Sequence, residues 1–510
     1  MKFWLNNFHQ ILNKTLANYL IIWLVVLVCA RFPSLFDALR GGDEDYYMVI
    51  AQSLANCKWL YVDIWDNKPP LLYLVYLANY VFLGPSLFGV RLLGLVLSIL
   101  SLISFKKVLE LQIFNISKIK TSLVFSLIAF FVSFGWQTVI FNAENLFLPL
   151  IIFGVYYLLK NIDATNQKSA IEIGSFTNAD YYKGLIWLSL AGFVKMNALI
   201  EALAILFLYL VIYFKRQVKS FNNYQNYQVF FKASIFGLGF VLVPYLVLIA
   251  IYGLINKLPQ LYFGIFGFGG SYVDKTYLYI RIFLYLSFVL MNLFLFFKSK
   301  ISDLQFFIWN LCAIEVFSIL LSGRGYHHYL IQGFLGFGLI FALCLKNQFK
   351  ILKSIILGLS VIALLINFLN RVDIWNGFGT DTNYGLFSKV LTKQVSMREW
   401  QLDNRWEVEL SETLVPLIQS YTKTSDTIYV FANIPFIYSL SNRFPAYSYP
   451  VEYQYHEPLK NIFDKVKINQ AKLIILDKRL ERYPQYKELI ESDYKLDQII
   501  NTQWEVYLVN

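Results

Sequence analysis

Apolar residues in this chain come in long blocks separated by short polar or basic stretches. Eleven blocks approach the ~20 residues that carry a helix across a bilayer. They run roughly over 16–32, 88–105, 120–136, 145–159, 183–195, 197–214, 233–252, 278–297, 304–321, 328–346 and 353–370. A twelfth apolar segment, 71–83, has 13 residues and follows Lys68-Pro69-Pro70. It is too short for a comfortable crossing. Tyr73, Tyr76 and Tyr80 suit a helix lying in the membrane interface.

Beyond Arg371 the pattern changes to that of a soluble protein. Ile428–Phe431 and Leu473–Leu476 read as buried strands, and Trp504–Val509 alternates like a closing strand. Glu409–Tyr421 and Tyr483–Glu491 have helical spacing. The expected architecture is an α-helical polytopic membrane protein with a small C-terminal α/β domain. Residues 1–370 form the membrane domain, 33–87 its first outer loop with interfacial helices, and 371–510 the soluble domain.

Composition agrees. Of 510 residues, 57% are hydrophobic and 15% charged, against about a quarter charged in soluble proteins. The net charge of +11 does not indicate nucleic-acid binding. Residues 1–370 hold 28 Lys+Arg and 15 Asp+Glu, whereas 371–510 hold 16 and 18. The excess lies between apolar spans, as in cytoplasmic loops. With 71–83 interfacial, Lys106, Lys107, Lys118, Lys120 and the later basic loops face the cytoplasm. That fixes the N-terminus inside, eleven crossings, and the C-terminal domain outside. The first run, Leu16 to Phe32, follows Lys2 and Lys14 without a small-residue cleavage site and reads as a retained anchor. Cys29, Cys57, Cys312 and Cys344 form no metal-ligand spacing, and no disulfide is implied.

The chemistry concentrates in the first outer loop. Gly41-Gly42-Asp43-Glu44-Asp45-Tyr46-Tyr47 is followed by Leu60-Tyr61-Val62-Asp63-Ile64-Trp65-Asp66-Asn67-Lys68-Pro69-Pro70. Tyr47, Ala51, Leu54 and Ala55 make an apolar stripe at helical spacing, as on a helix at the membrane surface. Asp43 stands at its N-terminal end, where the helix dipole favours a carboxylate. The plain reading is that Asp43 caps the helix and that Asp63 and Asp66 solvate a loop.

Asp-Glu-x-x-Tyr after the first span, then Tyr-x-Asp-x-Trp-Asp-x-Lys-Pro-Pro, resembles the first outer loop of GT-C-fold glycosyltransferases. The similarity is to the bacterial branch of the protein O-mannosyltransferase superfamily. That branch includes lipid A aminoarabinose transferases and lipopolysaccharide galacturonosyl transferases. Further matches follow in order: Phe82-Leu83-Gly84, Ser86, Phe88 and Arg91; Glu144; Gly192-Phe193-Val194-Lys195; and Gly323-Arg324-Gly325-Tyr326-His327-His328-Tyr329-Leu330. The resemblance implies a cell-envelope enzyme of a bacterial inner (plasma) membrane that moves a sugar, with inversion, from a polyprenyl-phosphate donor. The acceptor is a lipid, glycan or protein on the outer face.

By that resemblance Asp43 is the general base on the acceptor hydroxyl. Lys68, Lys195 and Arg324 are the cations for the leaving phosphate, where negative charge develops. Glu44, Tyr47, Asp63, Asp66, Glu144, His327, His328 and Tyr329 are the remaining candidates for substrate contact. Adjacent histidines on one helix point apart and are expected to hydrogen-bond rather than bind metal. The residues name no cofactor. A divalent metal is left open, because Asn67 stands where lipid A-modifying relatives carry an acid. Glu201 and Glu315 lie within predicted spans and receive no role. The competing class is a polyprenol-linked flippase or secondary transporter. Carriers show internal repeats and broken helices, and neither is evident here.

Overall fold

The computed structural model describes residues 19–37, 42–134, 140–167, 179–218, 224–267, 278–321, 327–346, 383–450, 471–480 and 483–510. The helices in chain order begin with α1 Tyr19–Arg31, α2 Asp43–Ala55, α3 Leu71–Leu83, α4 Phe88–Leu109, α5 Lys118–Phe134 and α6 Ala143–Gln167. Then come α7 Ala179–Gly192, α8 Met196–Val218, α9 Tyr224–Leu254, α10 Leu258–Tyr262, α11 Leu278–Phe297, α12 Asp303–Leu321 and α13 Phe334–Leu345. The C-terminal part holds α14 Tyr384–Leu391, α15 Met397–Asn404, α16 Trp406–Tyr421, α17 Phe436–Ser441 and α18 Tyr483–Glu491. Its strands are β1 Thr427–Phe431, β2 Phe444–Pro445, β3 Leu473–Asp477, β4 Tyr494–Ile500 and β5 Trp504–Val509.

Ten of the eleven predicted spans fall on helices, and 353–370 lies outside the described residues. Among the described residues, seven helices are long and apolar enough to cross a membrane; Leu71–Leu83 and Tyr329–Leu345 are shorter apolar helices. The span expected over 328–346 opens with a 3₁₀ turn, His327–Gly333, before α13 begins.

The chain divides into two compact units. The first comprises 1–32, 93–251 and 269–382. Its helices are apolar all round. On α11 Phe283, Leu290 and Phe294 are 69%, 65% and 63% exposed, a surface that water would penalise and lipid tails accept. Small residues set its closest crossing. A Cβ on Gly184 of α7 would lie 2.8 Å from the Leu158 side chain, and one on Gly154 of α6 would lie 2.6 Å from Leu188. Glycine at both positions lets the two helices approach closely.

The second unit comprises 33–92, 252–268 and 383–510. Its sheet runs β2-β1-β3-β5-β4, with β1, β2 and β3 parallel and β5 antiparallel to both β3 and β4. All five residues of β3 are buried, as expected of a central strand covered on both faces. Tyr429, Phe431, Ile474, Leu476, Tyr486, Ile490 and Tyr507 form one apolar core. Residues 33–87, expected from the sequence to form the first outer loop, fall in this unit. Helix α2 packs against α3 and α17, and Gln52 donates to the Arg443 carbonyl at 3.2 Å. The stripe on α2 predicts one wet face, but burial extends round the helix from Glu44 to Ser53.

Candidate active site

Gly42 adopts φ 82°, which glycine reaches without strain, and α2 starts at the next residue. Gly42 occupies the cap position and no side chain caps the helix. Asp43 is therefore not the cap that its spacing suggests. It is the first helical residue and half-buried. Asp43, Glu44 and Asp45 all lie in the first turn, where the helix dipole favours carboxylates. One turn on, the Tyr47 hydroxyl donates to Asp43 Oδ2 at 3.0 Å.

Tyr47 joins Asp43 to Lys68. Lys68 Nζ lies 5.0 Å from the centre of its ring, a cation–π contact. Tyr73 and Tyr76 of α3 meet the same ring edge-on at 5.9 and 5.3 Å. Lys68 Nζ also approaches Asp66 Oδ2 at 3.5 Å and Asn67 Oδ1 at 3.4 Å. Its backbone is held at both ends. The Tyr61 hydroxyl donates to its carbonyl at 2.6 Å, and its N–H donates to the Tyr73 hydroxyl at 3.3 Å. Pro69 and Pro70 then fix the direction into α3.

Asp66 is buried and accepts from the Tyr73 hydroxyl at 2.7 Å and the Asn67 N–H at 2.7 Å. Asp63 accepts the Trp59 N–H at 2.7 Å and closes a turn. Trp65 anchors the loop: its carbonyl accepts from Tyr46 at 2.5 Å and its N–H donates to the Ser448 carbonyl at 2.9 Å. Glu44 is 0% exposed. Arg91 bonds it through Nη2 at 2.8 Å and Nε at 3.2 Å. The same guanidinium donates to the carbonyls of Ser34 and Asp37. Arg91 thus ties Ser34 and Asp37 to Glu44 beside Asp43.

The other described candidates meet in the first unit. Lys195 Nζ bonds Glu144 Oε1 and lies 4.2 Å from the Tyr329 ring centre. Gln332 donates to Glu144 at 3.3 Å and accepts from Ser318 at 3.2 Å. Glu144 sits in the first turn of α6. Nearby on α12, Glu315 accepts the Gly336 N–H at 2.8 Å. Arg324 lies outside the described residues, as do the side chains of His327 and His328.

Tyr61, Tyr73, Arg91, Gln332 and Ser318 were not singled out for these contacts from the sequence. Tyr61 and Arg91 stood inside the quoted motifs, but nothing in linear spacing pairs them with Lys68 and Glu44. Among the described residues no group of three or more His, Cys, Asp or Glu side chains is arranged to hold a metal. The acid at 66 instead faces Tyr73 and Lys68.

No protein-family model matches the chain, and no curated protein matches it in sequence. Solved structures do match in shape. ArnT from Cupriavidus metallidurans bound to undecaprenyl phosphate superposes with a TM-score of 0.55 at 9% identity. The match covers 96% of this chain and 98% of that one. The apo state of the same protein gives 0.53 at 11% identity, with the same coverage of both chains. The chain has the GT-C fold. The GT-C likeness extends over nearly the full length of both proteins, so the membrane helices and the C-terminal α/β part both belong to it. At this identity it establishes the fold alone.

Proposed function

We propose that the protein is an inverting glycosyltransferase that uses a polyprenyl-phosphate sugar. The observation that carries this reading is the chain of contacts Asp43–Tyr47–Lys68 in the first outer loop of a GT-C fold. It joins a carboxylate of suitable exposure to a cation held on a rigid backbone. In the proposed reaction Asp43 accepts the proton of the acceptor hydroxyl, and that oxygen attacks the anomeric carbon. The bond from the anomeric carbon to the phosphate oxygen breaks on the opposite face. The polyprenyl phosphate departs with both bonding electrons, and Lys68 offsets the charge that develops on it. ArnT's capture of undecaprenyl phosphate supports this class of donor. The roles of Lys195 and Arg324 toward the lipid phosphate rest on motif resemblance, as do those of Glu144, His327, His328 and Tyr329 toward substrate. We assign the reaction to the outer face of the membrane, with the N-terminus inside.

The test is reconstitution in vesicles with undecaprenyl-phosphate sugars and mixed envelope acceptors. Asp43→Asn, which keeps shape and removes the base, is expected to lower transfer by about 100-fold or more. Its melting temperature should match wild type. Undiminished transfer by this variant removes Asp43 from the mechanism. Movement of the lipid-linked sugar across the bilayer without any transfer by wild type replaces the enzyme reading with transport.

A further inference from the structure

The C-terminal domain carries a second cluster that the proposed reaction does not use. Trp406, the first residue of α16, is 51% exposed. In contrast, Trp400 and Trp504 of the same domain are 0% and 2% exposed. The Trp406 ring lies nearly parallel to that of Trp504, 6.4 Å between centres and 17° apart. The Arg479 guanidinium carbon stands 5.8 Å from one ring centre and 5.7 Å from the other.

Arg479 is 60% exposed, yet it is not free to swing. Asp477, buried at the end of β3, accepts from Arg479 Nε at 3.2 Å and from Nη2 at 3.0 Å. It also accepts the Arg479 backbone N–H at 2.9 Å and Gln503 Nε2 at 3.2 Å. Asp477 and Trp504 are register partners across β3 and β5. The guanidinium is therefore aimed by the sheet itself. Its outer edge, at Nη1, has no hydrogen-bond partner among the described residues.

A half-exposed indole beside a fixed, outward guanidinium edge matches one kind of ligand. The indole offers an apolar face, which a pyranose covers with its axial C–H groups. The guanidinium fork fits a planar carboxylate through two parallel hydrogen bonds. The cluster also stands at the carboxyl end of a parallel strand, where open α/β sheets place ligands. Position ties it to the outer loop: Arg405, next to Trp406, bonds Asp37 at 3.2 Å, six residues before Asp43.

We infer that Trp406 and Arg479 form a binding site for a uronic acid residue of a glycan or glycolipid. Asp477, Gln503 and Trp504 position it. As an acceptor subsite it rests on the glycosyltransferase reading; as a binding site it does not.

Calorimetric titration of the detergent-solubilised full chain with cellobiouronic acid and with cellobiose tests it. Wild type is expected to bind the acid saturably and about tenfold or more tighter than the neutral sugar. Arg479→Gln should erase that preference. Trp406→Ala should weaken both sugars by roughly three- to tenfold, and Trp406→Phe should restore most of the loss. Asp43→Asn should bind as wild type does, so failure of transfer and failure of this site are read separately. Equal affinity for the two sugars in wild type, no saturable binding of the acid, or undiminished preference in a folded Arg479→Gln variant overturns the inference.

Discussion

Glu44 and its neighbour Asp43 differ by one position and by everything in their surroundings. Asp43 is half-buried and accepts from the Tyr47 hydroxyl, whereas Glu44 is fully enclosed and met by both Nε and Nη2 of Arg91. Breaking a buried ion pair by removing one partner costs about 3–5 kcal/mol, because the remaining charge is left in a poor solvent. Glu44→Gln is accordingly expected to lower the melting temperature of the solubilised protein strongly. Adding Arg91→Met should recover part of the loss. A Glu44→Gln protein that melts like wild type removes the clasp from the stability of this loop. The sequence showed three consecutive acids and a dipole that favours them, which was enough to bring Asp43 and Glu44 to notice. It could not separate them, because burial and the approach of an arginine 47 positions away are tertiary facts.

Elements were read best where local pattern and burial coincide. The strands at Ile428–Phe431 and Leu473–Leu476 appear within one residue of their expected ends, and Trp504–Val509 and Tyr483–Glu491 match at both. Strand β4 was missed because Gln498 stands at an inward position and Ile499, 48% exposed, at an outward one, so its burial alternates while its apolar pattern does not. Helices α14 and α15 were missed although Asn383 caps the first, and Ser396 with Glu399 forms a capping box on the second. Each of those helices is only eight residues long, about two turns, too short for a helical period to declare itself in the sequence.

The sheet also carries an acid-sensitive device. Burial opposes ionisation of Glu505 on β5, but the Tyr507 and Tyr483 hydroxyls, with Lys487 and Lys478, outweigh it and hold the carboxyl below the usual carboxylate range. A depressed folded-state pKa contributes stability that is present above the unfolded value, near 4.5, and disappears as pH falls through the folded one. The C-terminal domain should therefore lose melting temperature on acidification below about pH 4.5. Glu505→Gln should flatten that slope while lowering stability at neutral pH. An unchanged slope in the variant assigns the acid sensitivity elsewhere.

For the molecule as a whole, apolar blocks and basic loops were the legible part. Ten expected spans are helices, and the fold over nearly the whole chain is that of ArnT. The division into compact units was not legible, since 33–92 and 383–510 share no pattern and are far apart in sequence. The proposed topology, with eleven crossings, would put the two ends of the chain on opposite sides. Alkaline phosphatase fused after Asn510 is thus expected to be active in intact cells and a cytoplasm-only fluorescent reporter dark. The reverse result breaks the proposed topology.

The bond from Gln52 to the Arg443 carbonyl joins positions 391 apart. A ribosome adding roughly 5–20 residues per second needs roughly 20–80 s to cover that distance. Until residue 405 is reached, none of the backbone and guanidinium groups that will meet Asp37, Gln52 and Trp65 has been made. Arg91, by contrast, emerges within seconds of Glu44. The contacts around α2 therefore fall into an early set, from Trp65, α3 and Arg91, and a late set from Arg405, Arg443 and Ser448, and a nascent chain stalled before 405 has only the early set to hold α2.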